Sequence, residues 1–422
     1  MTIDSGWVKL LKQNVPQAFK SHAFQKGGIV FIDGQVKLMK PDYINTWDLF
    51  VAKQFVDPID KLFLEHDAKV IVLGFDNYKY VPKSKHMTQR KRSQHVPDIM
   101  FCEHDSLPSV IPERWDAAMR NRTFKTKVVN MVVARLNLHY SKFADRTVVI
   151  DYSDNVQTIG RPWKLPDMAV CRGECDIKAF AYAQCGEPLL IVSTDGDFVP
   201  LSLAQIEKAK IAGCQSEISL LRLKTRVDKE PSKNRREHEY VNMPLLYAWV
   251  ERQFHKCERP AVSMCAMIAA TGCDFSLNLP QIGPLRMWAA RSLFNNRAIE
   301  GPVDILNIIC QTYFQTFRMK ARFGNLMQLP TEQCYNSMIE KIQSSNKISL
   351  RIRSALWPTE RAQAHSLNTW WTVLYWTMLH EAPDPLSDDF GFCLVGGKTT
   401  FAGSKDNDKE MSDLQTASVT LG

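Results

Sequence analysis

Four short apolar segments in the first half of the chain end in or beside carboxylates. These are GIVFID, KVIVLGFD, TVVIDY and PLLIVSTDGD, and all contain β-branched residues. Because most positions in each run are apolar instead of alternating with polar ones, the pattern predicts strands buried on both faces. Such strands would deliver Asp33, Asp76, and Asp195 with Asp197, to their carboxyl ends.

Helical patterns separate these predicted strands. One follows Tyr43, a second covers residues 114–137, and a third covers residues 174–184. An alternation of strands and helices predicts an α/β fold with a mainly parallel, twisted sheet and helices on both of its faces. Ligands of such sheets bind beyond the carboxyl ends of the strands, where the aspartates are expected to collect.

The pattern changes outside this alternation. Residues 79–127 form a long insertion that begins with the basic run KYVPKSKHMTQRKRSQ, which predicts either a surface loop or a functional lid. The segment at 296–403 has a helical pattern, and its Trp370, Trp371 and Trp376 are expected in a core or an interface. The polar tail at 404–422 is expected to be disordered.

Composition narrows the class of protein. Hydrophobic residues make up 45% of the chain and charged residues 23%, as in ordinary soluble proteins. The net charge of +8 favours a polyanionic partner such as nucleic acid. The 11 cysteines include no C-x-x-C pair, which argues against a zinc ribbon, and their odd number favours reduced thiols. No apolar run is long enough to predict a membrane span, so we expect a soluble, intracellular protein.

Carboxylates carry the candidate chemistry. Each has a structural alternative, because a D-x-D pair often forms a turn and acidic residues at 174 and 176 suit a helix N-terminus. Gathered at one edge they would repel each other unless cations were bound, and Mg²⁺ prefers such oxygen ligands. Two ions could stabilise the attacking and leaving oxygens of a phosphodiester. The predicted ligands are Asp33, Asp76, Glu174, Asp176, Asp195, Asp197 and Asp274.

Several blocks, in the same order, resemble the flap endonuclease family, which includes XPG-type and phage 5′ nucleases with a PIN-like fold. They are GWVKLLKQNVPQAFK, VFID, GFDNYKYVPKSKHMTQR, RGECDIKAFA, STDGDF and IAATGCDFSLNLPQIGP. The resemblance implies a nuclease core at 1–295, with a helical arch near 79–127 and a helix-two-turn-helix near 272–295. The region after 295 does not match the cellular enzymes of the family. In this divergence the chain resembles the flap-endonuclease-like nucleases of large DNA viruses.

The resemblance also implies roles for individual residues. All seven carboxylates would be catalytic metal ligands for two Mg²⁺ ions, with Mn²⁺ as a substitute. Lys83 and Arg90 lie seven and fourteen residues after Asp76, where the family places its arch lysine and arginine. Both would stabilise charge on the scissile phosphate. The implied DNA-binding residues are Gly6, Lys85, Arg92, Gly283 and Arg286.

The sequence also departs from the family pattern. Met39 replaces the aromatic that stacks on a substrate base, and the G-I-G-P motif begins with Gln281. Five residues precede Gly6, so the free amino terminus is not expected at the place that it has in the family. The tail contains no sliding-clamp motif, and Asp176 stands where cellular members have Glu.

The implied function is a structure-specific 5′ flap endonuclease and 5′–3′ exonuclease. Its expected substrate is branched or 5′-ended DNA, in replication, repair or recombination, within the nucleus or a viral replication compartment. Two alternatives stay open. The first is an RNA-cleaving nuclease of the same fold, because metal-assisted hydrolysis does not itself distinguish RNA from DNA. The second is a catalytically inactive nucleic-acid-binding protein.

Overall fold

The apolar runs form the centre of an eight-stranded sheet. The structure, a computed structural model, describes residues 3–23, 26–39, 43–76, 101–152, 155–165, 174–183, 186–226, 235–273, 279–296, 298–316, 331–344, 356–357, 359–382, 392–395 and 398–401. The strands of the sheet are β1 Phe19–Lys20, β2 Ile29–Asp33, β3 Val70–Gly74, β4 Thr147–Tyr152, β5 Asn155–Gly160, β6 Leu189–Ser193, β7 Ile218–Arg226 and β8 Arg235–Asn242.

The sheet is mostly parallel, as predicted. Its strand order is β1-β8-β7-β6-β2-β3-β4-β5. The five strands from β7 to β4 in this order run parallel to one another. Strand β5 pairs antiparallel with β4 at one edge, and β8 and β1 add antiparallel strands at the other. The sequence analysis predicted the four strands β2, β3, β4 and β6 and did not predict the antiparallel edges.

Helices cover both faces of this sheet. Their bounds are α1 Ile3–Asn14, α2 Gly34–Lys37, α3 Trp47–Val51, α4 Asp57–His66, α5 Trp115–Arg120, α6 Arg122–Tyr140, α7 Cys175–Tyr182, α8 Phe198–Ile211, α9 Met243–Gln253, α10 Pro260–Ala270, α11 Pro284–Ala289, α12 Pro302–Thr316, α13 Thr331–Gln343 and α14 Thr359–Met378. A π-helical turn, Ala52–Val56, joins α3 to α4. Among the described residues, no helix has both the length and the apolar character needed to cross a membrane.

Successive residues of β2 pack into two different cores. Phe31 packs with α1, α7 and α8 on one face, and Ile32 packs with α3, α4 and α6 on the other. Burial of every residue from Ile29 to Asp33 explains why the run is apolar without alternation. The fold class predicted from the sequence is therefore confirmed.

The region after residue 296 shares the first of these cores. Helices α12 and α14 bury Tyr313, Trp371 and Trp376 in the same apolar cluster as Trp7 of α1. A two-stranded antiparallel sheet, β9 Phe392–Val395 and β10 Lys398–Phe401, lies within the region that the sequence predicted to be helical. The C-terminal helices thus pack directly on the helical layer that covers the sheet.

The predicted arch is only partly described. Residues 77–100 lie outside the described residues. Residues 101–127 contain α5 and the start of α6, and Trp115 and Phe124 bury their rings against the sheet. This second half of the insertion therefore contributes to the core. The predicted disordered tail, residues 404–422, also lies outside the described part of the chain.

A buried histidine joins α14 to α10. His365 is 2% exposed, and its Nε2 donates a hydrogen bond to the carbonyl oxygen of Ala270 at 3.0 Å. Burial lowers the pKa of His365 to about 4, with a further contribution from Arg361, while the hydrogen bond to Ala270 opposes the shift. The folded protein therefore favours the neutral ring.

We predict an acid-sensitive contribution to stability from His365. Because its folded pKa lies below the unfolded value of 6.5, this contribution is complete above about pH 6.5 and is lost as the pH falls towards 4. Urea unfolding should show that wild type loses about 2 kcal/mol more than His365→Gln between pH 7 and pH 5. Glutamine keeps a donor and does not titrate. The exposed His255→Gln is the control, and identical pH profiles for His365→Gln and wild type would contradict the prediction.

Candidate functional site

Parallel strands bring four of the predicted site residues together at the carboxyl ends of the central strands. Asp33 is the last residue of β2, and Asp76 lies two residues beyond β3. Asp195 and Asp197 follow β6, and Asp197 immediately precedes α8. Because β6, β2 and β3 are parallel neighbours, their carboxyl ends meet on the same side. We call these four residues, together with Glu174 and Asp176 at the start of α7, the acidic edge.

Two glycines allow the segments of the acidic edge to approach each other. A Cβ atom on Gly34 would lie 2.5 Å from the carbonyl oxygen of Gly74. A Cβ atom on Gly74 would lie 2.3 Å from the Phe31 ring and 3.0 Å from the sulfur of Cys175. Neither contact is sterically acceptable, so larger residues would push apart the strand ends and the start of α7.

The start of helix α7 adds two more of the predicted carboxylates. Glu174 is its N-cap residue and Asp176 lies in its first turn. The backbone N–H of Cys175 donates to Asp76 Oδ1 at 2.9 Å, which ties this helix to the end of β3. Glu174 is fully buried and Asp176 is 6% exposed. The structural alternative for both residues was a position at a helix N-terminus. Both occupy such a position, which also places them beside Asp76.

The D-x-D segment forms a turn that is tied to Asp33. Asp195 Oδ1 accepts a hydrogen bond from the backbone N–H of Asp197 at 3.0 Å. The Ser193 hydroxyl donates to Asp33 Oδ2 at 2.8 Å and accepts from the N–H of Asp195 at 3.0 Å. The D-x-D motif therefore forms a turn that carries its carboxylates to the same side of the sheet as Asp33, and its role as a metal ligand stays a prediction. No local sequence pattern marked Ser193 as part of the site.

Burial and nearby carboxylates raise the pKa of Asp33. Its pKa is raised from 3.8 to about 6, first by burial and next by the negative charge of Asp76. The charge of Asp195 adds to the increase, while the hydrogen bonds from Ser193 and from the backbone of Gln35 oppose it. Near neutral pH the acidic edge therefore holds a buried negative charge that a cation would stabilise.

A tyrosine from the C-terminal region also reaches the acidic edge. Tyr375 of α14 is 3% exposed, and its hydroxyl donates to Glu174 Oε2 at 3.2 Å. Burial raises the pKa of Tyr375 far above its usual range, and the charges of Glu174, Asp176 and Asp76 raise it further. Sequence reasoning missed this contact because the two residues are 201 positions apart and no local pattern links them.

A fully buried ion pair joins α7 to β4. Lys178 Nζ contacts Asp151 Oδ1 at 2.7 Å, and the Tyr182 hydroxyl donates to Asp151 Oδ2 at 3.0 Å. Burial raises the pKa of Asp151, while Lys178 and the hydrogen bonds favour its ionised form. This pair fixes α7 to the end of β4. The sequence showed Asp151 at a strand end and gave no sign of its partner.

Three predicted DNA-binding residues line one open surface groove of about 530 Å³. They are Gly6, Gly283 and Arg286, and Lys9 and Gln281 lie beside them. Gly6 belongs to α1, and a Cβ atom there would lie 2.5 Å from Pro284, so this glycine has a packing role as well. Gln281 has a φ of 62°, in the left-handed region that glycine favours, and its carbonyl accepts from Arg286.

The remaining predicted site residues lie outside the described part of the chain. They are Lys83, Lys85, Arg90, Arg92 and Asp274. Their roles therefore stay predictions. Asp274 follows the end of α10 by four residues, so the described acidic edge is the predicted ligand set without that aspartate.

The donor chemistry of the acidic edge fits a hard divalent cation. Its donors are carboxylate oxygens, and one of them, Asp33, has a pKa that is raised by burial and then by the charges of Asp76 and Asp195, so a cation would stabilise its ionised form. In the part of the chain that the structure describes, no three His, Cys, Asp or Glu side chains form a ready-made coordination group. The fit therefore rests on charge and donor type, and the described side chains would have to adjust to ligate an ion.

The overall structure is similar to solved nuclease structures. The catalytic core of Rad2 in complex with DNA substrate has a TM-score of 0.39 and 12% identity, over 82% of this chain and 86% of that one. The T5 D15 protein co-crystallised with metal ions has a TM-score of 0.34 and 13% identity, over 81% and 99%. A complex of the bacteriophage T5 D15 flap endonuclease with DNA and metal ions has a TM-score of 0.33 and 13% identity, over 78% and 97%.

No protein-family model matches the sequence, and no curated protein matches it. The function proposed below therefore rests on the acidic edge and its surroundings, not on these overall likenesses.

We predict that Asp33→Asn stabilises the metal-free protein. Because the folded pKa of Asp33 is above its unfolded value, the ionised carboxylate destabilises the fold at high pH, and this cost disappears as the pH falls from 6 towards 4. Urea unfolding in chelator should give the variant about 3 kcal/mol of extra stability at pH 8 and about half of that at pH 5. Asp145→Asn, at an exposed loop position, is the control. A variant no more stable than wild type at pH 8 would disprove the assignment.

We predict a non-additive response from the buried ion pair. Lys178→Met should destabilise the protein by about 3–5 kcal/mol, because it leaves the Asp151 carboxylate buried without its cation. Adding Asp151→Asn should recover most of that loss, since no uncompensated charge then remains. Denaturant unfolding of the two single variants and the double variant measures the coupling. Equal destabilisation of the Lys178→Met and double variants would show that packing, not charge pairing, is what Lys178 contributes.

Proposed function

We propose that this protein is a divalent-metal-dependent nuclease that hydrolyses phosphodiester bonds. The observation that carries the proposal is the convergence of carboxylates from three strand ends and one helix N-terminus, with the raised pKa of Asp33 as its electrostatic consequence. Buried acidic residues gathered in this way are costly for stability, and such clusters are typical of functional sites. A purely structural role would not require them at the ligand-binding edge of a parallel sheet.

The acidic edge would hold Mg²⁺, or Mn²⁺ in its place, with Asp274 as the seventh proposed ligand. When bound, the metal supplies activated water and stabilises charge on the phosphate oxygens. The protein's own residues hold and orient the carboxylates. Ser193 and the backbone N–H of Gln35 orient Asp33, and the N–H of Cys175 orients Asp76.

Substrate binding would use surfaces outside the acidic edge. The groove with Gly6, Lys9, Gly283 and Arg286 offers cationic side chains and accessible backbone, which suit phosphate contacts. The net charge of +8 favours a nucleic acid over a neutral substrate. By the motif resemblance, Lys85 and Arg92 also bind DNA, and Lys83 and Arg90 act at the scissile phosphate. The proposed substrate is 5′-flapped or 5′-ended DNA, in replication, repair or recombination.

The test is cleavage of an end-labelled double-flap DNA in the presence of Mg²⁺. We expect incision near the base of the flap that disappears in chelator. Asp195→Ala should lower the rate by about 10³-fold or more, because several kcal/mol of transition-state stabilisation depend on the metal site. Its affinity for the flap should stay within about threefold of wild type, since the phosphates are held elsewhere. Asp145→Ala, at an exposed position, should cleave at the wild-type rate.

A matched RNA flap separates the alternatives. Incision of RNA alone would replace DNA as the substrate class and leave the chemistry in place. Binding of the flap without incision of either substrate would identify a catalytically inactive nucleic-acid-binding protein. If Asp195→Ala cleaves the flap at the wild-type rate, the acidic edge is not the catalytic site.

A further inference from the structure

The contact between Tyr375 and Glu174 joins the C-terminal region to the acidic edge. Glu174 is 0% exposed, and a Tyr375 hydroxyl oxygen lies 3.2 Å from its Oε2. The tyrosine ring stacks on Trp371, one helical turn earlier, with centroids 5.1 Å apart and an angle of 20° between the planes. Its hydroxyl is therefore delivered by a ring that packing holds in place.

The helix that carries Tyr375 is anchored near this point. Gln205 Nε2 of α8 donates to the carbonyl oxygens of Trp376 and Thr377, at 3.3 and 3.5 Å. These carbonyls belong to the last turn of α14, where carbonyl groups have no N–H partner within the α-helix itself. Helix α8 begins directly after Asp197. Helix α14 is thus bonded both to the helix that follows the D-x-D turn and, through Tyr375, to Glu174 at the start of α7.

We propose that Tyr375 is a positioning residue for Glu174, so that the C-terminal helix α14 is a working part of the metal site. The inference rests on the proposed function, since it concerns how the acidic edge binds a divalent cation. The hydroxyl donates to one oxygen of the carboxylate and restricts the rotation of that group. Partners that orient a metal-ligating carboxylate commonly change metal affinity or activity by about 10–100-fold when they are removed.

A purely structural explanation makes a different prediction. A buried tyrosine hydroxyl has to be hydrogen-bonded wherever it lies, and its loss costs stability at any site. Tyr335 of α13 provides the matched case, because it is 0% exposed and donates to the carbonyl oxygen of Trp357, also at 3.2 Å. Both tyrosines belong to the C-terminal region and have hydrogen bonds of equal length, but only Tyr375 contacts a carboxylate of the acidic edge.

The experiment compares Tyr375→Phe with Tyr335→Phe in the full-length protein. The primary readout uses Mg²⁺ alone, without DNA, and follows the rise in melting temperature as the ion is titrated from zero. Each variant is compared with its own metal-free state, which removes any general loss of stability. For Tyr375→Phe we expect the half-saturating Mg²⁺ concentration to increase by about tenfold or more. For Tyr335→Phe we expect it to stay within twofold of wild type.

A second readout is flap cleavage as a function of Mg²⁺ concentration. We expect Tyr375→Phe to need more Mg²⁺ for half-maximal rate, with the rate partly restored at saturation and the affinity for flap DNA unchanged. If Mg²⁺ stabilises wild type and Tyr375→Phe shows the same Mg²⁺ dependence, this inference is overturned and the proposed function stands. A wild type that shows no Mg²⁺-dependent melting would overturn the proposed function and this inference with it.

Discussion

Repulsion between carboxylates at the ends of parallel strands is the constraint around which the site is organised. Burial first, and then the neighbouring charges of Asp76 and Asp195, raise the pKa of Asp33 to about 6. In a low-dielectric environment the fold can hold such groups only with directed hydrogen bonds or cations. Ser193, the N–H of Gln35 and the N–H of Cys175 supply such bonds to two of the carboxylates. The buried charge lowers the local stability of the metal-free fold, and a bound cation would reverse this effect.

The rest of the fold resists this repulsion by fixing the segments that carry the charges. The pair between Lys178 and Asp151 attaches α7 to β4, so the helix that presents Glu174 cannot move away from the strand ends. On the strand side, Gly34 and Gly74 permit a spacing that larger residues would prevent. The rigid packing around these segments holds the carboxylates close together although their charges repel each other.

The sequence predicted the parts of this arrangement that local pattern encodes. Buried parallel strands are apolar at nearly every position, so β2, β3, β4 and β6 could be identified, and with them the places of Asp33 and Asp76. The strands β7 and β8 were missed because charged runs replace the apolar pattern over part of each strand, KTR at the end of β7 and RREHE at the start of β8. Partners of the carboxylates, such as Lys178 and Tyr375, could not be predicted, since nothing local distinguishes a buried lysine or tyrosine from an exposed one.

The C-terminal helices illustrate why boundaries inferred from motifs can differ from physical units. The family-like motifs end near residue 295, which suggested a core followed by an accessory region. Helix α14 nevertheless contacts α10 through His365, α8 through Gln205 and α7 through Tyr375. Helices α7 and α8 begin at carboxylates of the acidic edge, and α10 leads towards Asp274. A helix bonded to all three can constrain their relative positions, and its residues lie outside the family-like motifs of the sequence.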